Sequence, residues 1–477
     1  MSKLFSTDNA ILLFQLLYAV TALGVIVVIV SEKRNPVKTM SWILILLFLP
    51  LFGLFIYYFF GEDGRKKRLI SHRMFRHLTQ KSVERIEQSD KPLPPKEYSC
   101  LVSLLNNLES SPLYSGNKIT FYSDGVSKFE ALFEEIEKAK KYIHIQYYIF
   151  LDDEVGCKLR DLLLKKVKEG VVVRLIYDDV GSWNAKRRFF KNMQAQGIEV
   201  QPFLKVAFKL LTSRVNYRNH RKIVVIDGTV GFVGGMNVAS RYINGVKTGI
   251  WRDSHIKIEG KAVAGLQTSF IVDWNYSRKE FLSDDIYFPK IEEKGNNLVQ
   301  LATSGPMGEY KSIHLAIVHA IYNAKKYIYI QTPYFIPTDN LMTAIQTASI
   351  RGVEVRLMIP RHSDTTFVHI ATMSFIEELL HAGVSIYLFE AGFLHSKLMV
   401  IDDSLTITGS ANMDVRSFEH NFEIDAFIYN DESTQVAKNI FEKDMQDSSL
   451  LMIDDWNNRS MMNKVKESIV RLFSPLL

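Results

Sequence analysis

Two kinds of apolar pattern divide the chain. Residues 10–30 (AILLFQLLYAVTALGVIVVIV) are apolar apart from Gln15 and Thr21, and residues 41–60 (SWILILLFLPLFGLFIYYFF) form a second run. Each has about the 20 residues a helix needs to cross the hydrocarbon core of a bilayer. The connection Ser31–Met40 is short, which predicts an antiparallel pair of membrane helices. Pro50 and Gly53 mark a point where the second would kink, and a re-entrant hairpin is the alternative. A cleaved signal peptide fits poorly, because the apolar stretch is too long, no small-x-small site follows it, and a second run comes at once.

Beyond residue 117 the pattern becomes one of strands and helices, and it occurs twice. AKKYIHIQYYIF (139–150) matches AKKYIYIQTPYF (324–335), EGVVVRLIYDD (169–179) matches RGVEVRLMIPR (351–361), and GIEVQPF (197–203) matches GVSIYLF (383–389). Each half reads strand, helix, strand, helix, strand, then a further strand. The spacing is far too long for a solenoid, so the fold class expected is α/β, one unit used twice. The boundaries that follow are a membrane hairpin over 1–64, a polar connector over 65–116 with the proline-rich stretch Asp90–Tyr98, a first half over 117–283, a linker over 284–298, a second half over 299–447, and a tail over 448–477 that packs on the body.

The last strand of each half carries the candidate chemistry. Residues 219–237 read NHRKIVVIDGTVGFVGGMN and residues 393–412 read FLHSKLMVIDDSLTITGSAN. His220, Lys222, Asp227, Gly234-Gly235 and Asn237 recur in the same spacing as His395, Lys397, Asp402, Gly409-Ser410 and Asn412. Alternate residues of an extended chain share a face, so each histidine and its lysine point the same way. Leu398–Ile401 is continuously apolar, the mark of a strand buried on both faces. An imidazole beside a fixed ammonium suits phosphoryl transfer, which needs a nucleophile or proton carrier next to positive charge. Small residues and an amide downstream suit phosphate oxygens. Asp227 and Asp402 stand at odd offsets from the lysines, off the histidine face, which points to bracing of the following turn.

Charge and composition narrow the partners. A net charge of +6 favours anionic ones, nucleic acid or anionic lipid, and the N-terminal runs favour lipid. Cys100 and Cys157 fit neither a metal spacing nor a disulfide framework, and no glycine-rich nucleotide loop occurs. No cofactor and no metal are expected. Lys33, Arg34 and Lys38 lie between the apolar runs, against Lys3, Arg65, Lys66, Lys67, Arg68, Arg73 and Arg76 outside them. That bias places the large C-terminal part on the cytoplasmic side, where Arg65–Arg68 would also meet anionic head groups. The stretch FLKVAFKLLTSR (203–214) reads either as a surface dipping into the membrane interface or as a strand and loop.

The paired H-x-K-x4-D motifs with trailing G-[GS]-x-N resemble those of the phospholipase D superfamily. The apolar hairpin, NPVKTMSW, YRNHRKIVVIDG with WRDSHIKIEG, QTPYFIP and the ending RLFSPLL make the whole chain similar to bacterial cardiolipin synthases. The resemblance implies two tandem lobes forming one pseudo-twofold catalytic domain. It implies transfer of a phosphatidyl group between two phosphatidylglycerol molecules, giving cardiolipin and glycerol through a phosphohistidine. His220 would be the nucleophile and His395 the acid and base, with Lys222, Lys397, Asn237 and Asn412 on the phosphate. An acidic residue downstream of each motif would fix the imidazole tautomers: Asp253 in the first half, Glu423 in the second. A hydrolase with water as acceptor is the alternative. A nuclease is disfavoured by the anchor, so no nucleic acid is expected. Tyr148 and Tyr334 end matching strands and suit either a phosphate contact or the core. His255 reads as a core residue, and Trp251 and Arg252 as packing and surface.

Overall fold

The computed structural model describes residues 7–31, 36–49, 51–60, 92–109, 111–206, 216–278, 282, 285–306, 308 and 310–474. The chain forms two compact units, one N-terminal and one comprising the two halves. The basic cluster at 65–68 and most of the stretch 203–214 lie outside the described residues.

In the N-terminal unit one helix spans Thr7–Ser31. Its apolar portion, Ile11–Ser31, is about 31 Å long, enough for the hydrocarbon core. Thr21 and Ser31 return their hydroxyls to the carbonyls of Leu17 and Val28, which removes two polar groups from an apolar surface. The second apolar run breaks where the kink was expected, into two short helices, Pro36–Phe48 and Phe52–Phe60. The break follows from local chemistry. Pro50 has no N–H to donate, and Leu51 takes the left-handed conformation (φ 62°). Gly53 then passes so close to the preceding helix that a Cβ would stand 2.6 Å from the Ile45 carbonyl oxygen. Ile29 packs with Trp42 and Leu46 where the long helix meets the shorter one, and the Tyr18 hydroxyl donates to the Leu46 carbonyl.

The second unit is built on one 15-stranded sheet. Its two central strands, Tyr114–Tyr122 and Asn297–Ser304, run antiparallel and join the halves. Outward from Tyr114–Tyr122 come His255–Glu259, Val230–Gly234, Ile223–Ile226, Tyr142–Tyr147, Val172–Asp178 and Glu199–Phe203. Outward from Asn297–Ser304 come Glu423–Tyr429, Leu405–Gly409, Leu398–Ile401, Tyr327–Gln331, Glu354–Pro360 and Ser385–Phe389, and then Ser448–Leu450 at the edge. The order and the chain directions repeat about the centre, so the duplication in sequence is a twofold-like repetition in space. At the seam the buried Asn117 donates to the carbonyls of Tyr114 and Asn297, while Asn297 donates back to Asn117.

Three parallel strands in each half pair through helical crossovers and are covered on both faces, hence their near-continuous apolar sequence. One boundary differs from expectation, while the tail packs on the body as expected. Part of the polar connector is core: Ser99–Glu109 is a helix whose Leu101, Val102 and Leu105 pack into the second half. The tail adds strand Ser448–Leu450 to the sheet edge and then buries Trp456 and Val470.

Asp227 and Asp402 sit at the far ends of the motif strands, about 16 Å along the chain from Lys222 and Lys397, and both adopt positive φ (51° and 50°). Asp227 accepts from the backbone N–H groups of Lys140, Lys141 and Tyr142. Asp402 accepts from those of Lys325, Lys326 and Tyr327. Although grouped with the catalytic motif, they hold the start of the neighbouring strand, with no contact to either imidazole. Asp227→Ala or Asp402→Ala is expected to cost about 1–3 kcal/mol in urea denaturation by leaving these donors without their acceptor. An unchanged unfolding midpoint would remove the bracing role.

Candidate active site

His220 and Lys222 lie on the extended approach to the strand Ile223–Ile226, and His395 and Lys397 on the approach to Leu398–Ile401, one step before the regular ladder begins. Each approach pairs with the other half instead of its own. The His220 N–H donates to the Phe422 carbonyl at 2.9 Å, and the Phe422 N–H to the Arg218 carbonyl. On the opposite side, Gly392–Leu394 runs parallel to Ile250–Arg252, and the His395 N–H donates to the Arg252 carbonyl at 2.6 Å.

That pairing decides which carboxylate meets which imidazole. Glu423 follows Phe422 and receives His220 Nδ1–H, with its oxygens at 2.9 and 3.0 Å. Asp253 follows Arg252 and receives His395 Nδ1–H at 2.7 Å. The orienting acids are therefore exchanged between halves: the carboxylate downstream of each motif serves the histidine of the other. A carboxylate accepts only, so the proton resides on Nδ1 and leaves the Nε2 lone pair free.

All six groups are buried. Burial lowers His220 to about 4, with Glu423 opposing and Lys222 assisting. Burial, then the charges of Lys397 and Lys222, hold His395 well below its usual value. Both imidazoles are thus neutral near pH 7. Burial pushes Asp253 up to about 6 against the pull of Lys397. Burial acts upward on Glu423 too, but His220 and Lys222 outweigh it and leave the carboxyl below its ordinary range. Burial lowers Lys222 to about 7 and also lowers Lys397, with the carboxylates opposing. Both ammonium groups turn back to the carbonyl of their own histidine. Lys397 Nζ also lies 2.9 Å from His395 Nδ1. A phosphodiester between the lysines would supply the missing negative charge and raise all four basic groups.

The asparagines bond to neighbouring groups. Asn237 accepts from the Ile149 N–H and donates to the Tyr242 hydroxyl. Asn412 donates to Asp414, whose carboxylate caps the helix Val415–Glu419. Their geometry supports positioning of neighbours over contact with phosphate. Tyr148 stands edge-on to His220, with ring centroids 4.9 Å apart, and Tyr334 donates to Asp364 beside His395. His255 is buried, with both ring nitrogens unpartnered among the described residues. Arg252 is not a surface residue: it is buried and ion-paired at 2.8 Å to Asp444 of the other half.

Sequence reasoning missed several supports. Ser254 clasps Lys397 across the halves, its hydroxyl donating to the carbonyl and accepting from the N–H, both at 3.1 Å. Ser410 donates to Glu423. Its counterpart is Gly235, where a Cβ would stand 2.1 Å from Asp253 Oδ1, so the smaller residue makes room for the shorter acid. Asp178 accepts from Arg218 and from the Asn219 N–H, setting the chain just ahead of His220. Asp425, raised to about 7 by burial, accepts from the N–H groups of Ser410 and Ala411. Ser410 stood inside the repeated motif and Asp425 alternates with Glu423 along one strand; the others carried no signal.

The family described as cardiolipin synthase, PLD-like domain, matches residues 132–272 and 317–445, and a phospholipase D-nuclease N-terminal family matches residues 19–62. The major cardiolipin synthase of Bacillus subtilis (strain 168) is 38% identical over 98% of this chain and 99% of its own length. A cardiolipin synthase of Listeria monocytogenes serotype 4b is 39% identical over 94% of this chain and 96% of its own. Among solved structures, phosphatidylserine synthase of Haemophilus influenzae Rd KW20 shares the fold, with a TM-score of 0.61 at 15% identity over 79% of this chain and all of that one.

The exchange of carboxylates has a spectroscopic consequence. In 15N-histidine NMR near pH 7, Glu423→Gln should move the ring signals of His220 and leave those of His395 nearly in place, and Asp253→Asn should do the reverse. The opposite assignment would refute pairing across the halves.

Proposed function

The chain belongs to the cardiolipin synthase family of the phospholipase D superfamily, and from that premise we propose that it moves a phosphatidyl group from one phosphatidylglycerol to the glycerol hydroxyl of another, releasing glycerol and forming cardiolipin. The observation that carries the reading is the pair of buried imidazoles, each with Nδ1 on a carboxylate of the other half and a lysine beside it.

With the phosphodiester's charge beside it, His395 takes up a proton on Nε2; His220 Nε2 then attacks phosphorus as the bond to the glycerol oxygen breaks, and the His395 Nε2 proton passes to that oxygen. The phosphoryl group is then held on His220. His395 takes the proton of the incoming glycerol hydroxyl, whose oxygen forms the new P–O bond while the electron pair of the P–N bond returns to His220. One ester is traded for another, so no nucleotide is consumed. Lys222 and Lys397 stabilise charge on the non-bridging oxygens. Glu423 and Asp253 hold the tautomers and stabilise the imidazolium forms, and Asp227 and Asp402 keep the motif strands in place.

The N-terminal unit associates the enzyme with the membrane. The lysine and arginine bias supports two passes with the catalytic part on the cytoplasmic side, where phosphatidylglycerol and other anionic lipids are the partners. A protease-protection assay on sealed inverted vesicles tests this, since digestion of the catalytic part from the cytoplasmic face is expected and full protection would reverse the orientation.

Given phosphatidylglycerol in micelles without nucleotide, the protein should release cardiolipin and glycerol in equal amounts, and His220→Ala or His395→Ala should abolish both. Phosphatidic acid as the sole product would establish a hydrolase instead. The pH dependence of kcat/KM should be a narrow bell. Asp253 loses its charge as pH falls through about 6, and Lys222 loses its charge as pH rises through about 7. Because bound phosphodiester favours the ammonium, the alkaline limb of kcat should lie at higher pH than that of kcat/KM. Coincident alkaline limbs would exclude Lys222 as a phosphate ligand.

A further inference from the structure

A second anion-binding feature lies beside His395. Trp251, on the short strand Ile250–Arg252, is only 7% exposed, and its ring is 5.4 Å from the imidazole of His395. On the indole rests the guanidinium of Arg241, with its carbon 4.8 Å from the ring centroid and 5.7 Å from that of Tyr242. Arg241 opens the turn of helix Arg241–Asn244, and Tyr242 is anchored there by Asn237. Trp251 Nε1 and Arg241 Nε are both buried without a hydrogen-bond acceptor among the described residues, and no carboxylate pairs with Arg241 among them. Buried N–H groups are rarely left unpaired, because the desolvation they suffer is then uncompensated. A guanidinium laid on an aromatic shelf with two unmet donors suits an oxyanion.

The reaction supplies one. The acceptor in cardiolipin synthesis is itself a phosphodiester, and three carbons separate its attacking hydroxyl from its own phosphate. If His395 takes the proton of that hydroxyl, the acceptor phosphate must lie a short distance beyond the imidazole, away from the reacting phosphorus. We propose that Arg241 and Trp251 bind the phosphate of the acceptor phosphatidylglycerol and so direct the phosphatidyl group to lipid instead of water. The inference rests on the transferase reading and on the role of His395 in it. Water and free glycerol carry no phosphate, so neither gains from this subsite.

Two reactions of the full chain in phosphatidylglycerol micelles separate the possibilities: cardiolipin formation, with an anionic acceptor, and incorporation of radiolabelled glycerol into phosphatidylglycerol, with a neutral one. Arg241→Gln should lower the ratio of the first rate to the second by about ten- to a hundredfold, the range for losing a hydrogen bond to a charged group. Arg241→Lys should recover part of the ratio. Trp251→Phe, which keeps a ring and loses the N–H, should lower it by a smaller factor. A general loss of structure would reduce both rates together, so an unmoved ratio in Arg241→Gln and Trp251→Phe overturns the proposal. Absence of both reactions in the unaltered protein would instead overturn the transferase reading, and the subsite with it.

Discussion

The structure depends on carboxylates that cross between halves. Glu423 and Asp253 are buried acids that would be costly to hold alone, and each is satisfied by an imidazole carried on the opposite lobe. Neither half can orient its own histidine. The backbone pairs that bring Phe422 to His220 and Arg252 to His395 are therefore as much a part of the site as the side chains. Ser254 on Lys397 and Arg252 on Asp444 tie the same seam.

Burial at that seam sets the electrostatics. Two lysines, two histidines and two acids share one dry region, and desolvation is the largest influence on each. The result is neutral imidazoles and weakened ammonium groups. A phosphodiester bound beside them would raise the basic groups. Fixed cations with movable protons need little reorganisation when charge develops on phosphate.

The two sites are alike but not identical. The second half uses the longer acid and adds the Ser410 hydroxyl to it, whereas the first uses the shorter acid packed directly against Gly235, where a Cβ would not fit. Around His395 the walls are aromatic, with Trp251, Tyr242, Tyr334 and Phe393. Around His220 the support is more ionic, from the buried Asp178–Arg218 pair just ahead of it. The two copies of the repeat thus differ most around their histidines.

Much of this was legible in the residues alone. The duplication, the α/β class, the two histidine–lysine pairs and the long apolar N-terminal helix all follow from local spacing and periodicity, which chain geometry translates directly into faces and strands. The bracing role of Asp227 and Asp402 was visible in their odd offset from the lysines. Tertiary structure alone decided the exchange of Asp253 and Glu423, because partner choice across two lobes depends on which strand lies beside which. It decided the burial of Ser99–Glu109, whose apolar stripe is short. It also placed Arg241 and Trp251 beside His395, a neighbourhood made by pairing Ile250–Arg252 with a segment from the other half.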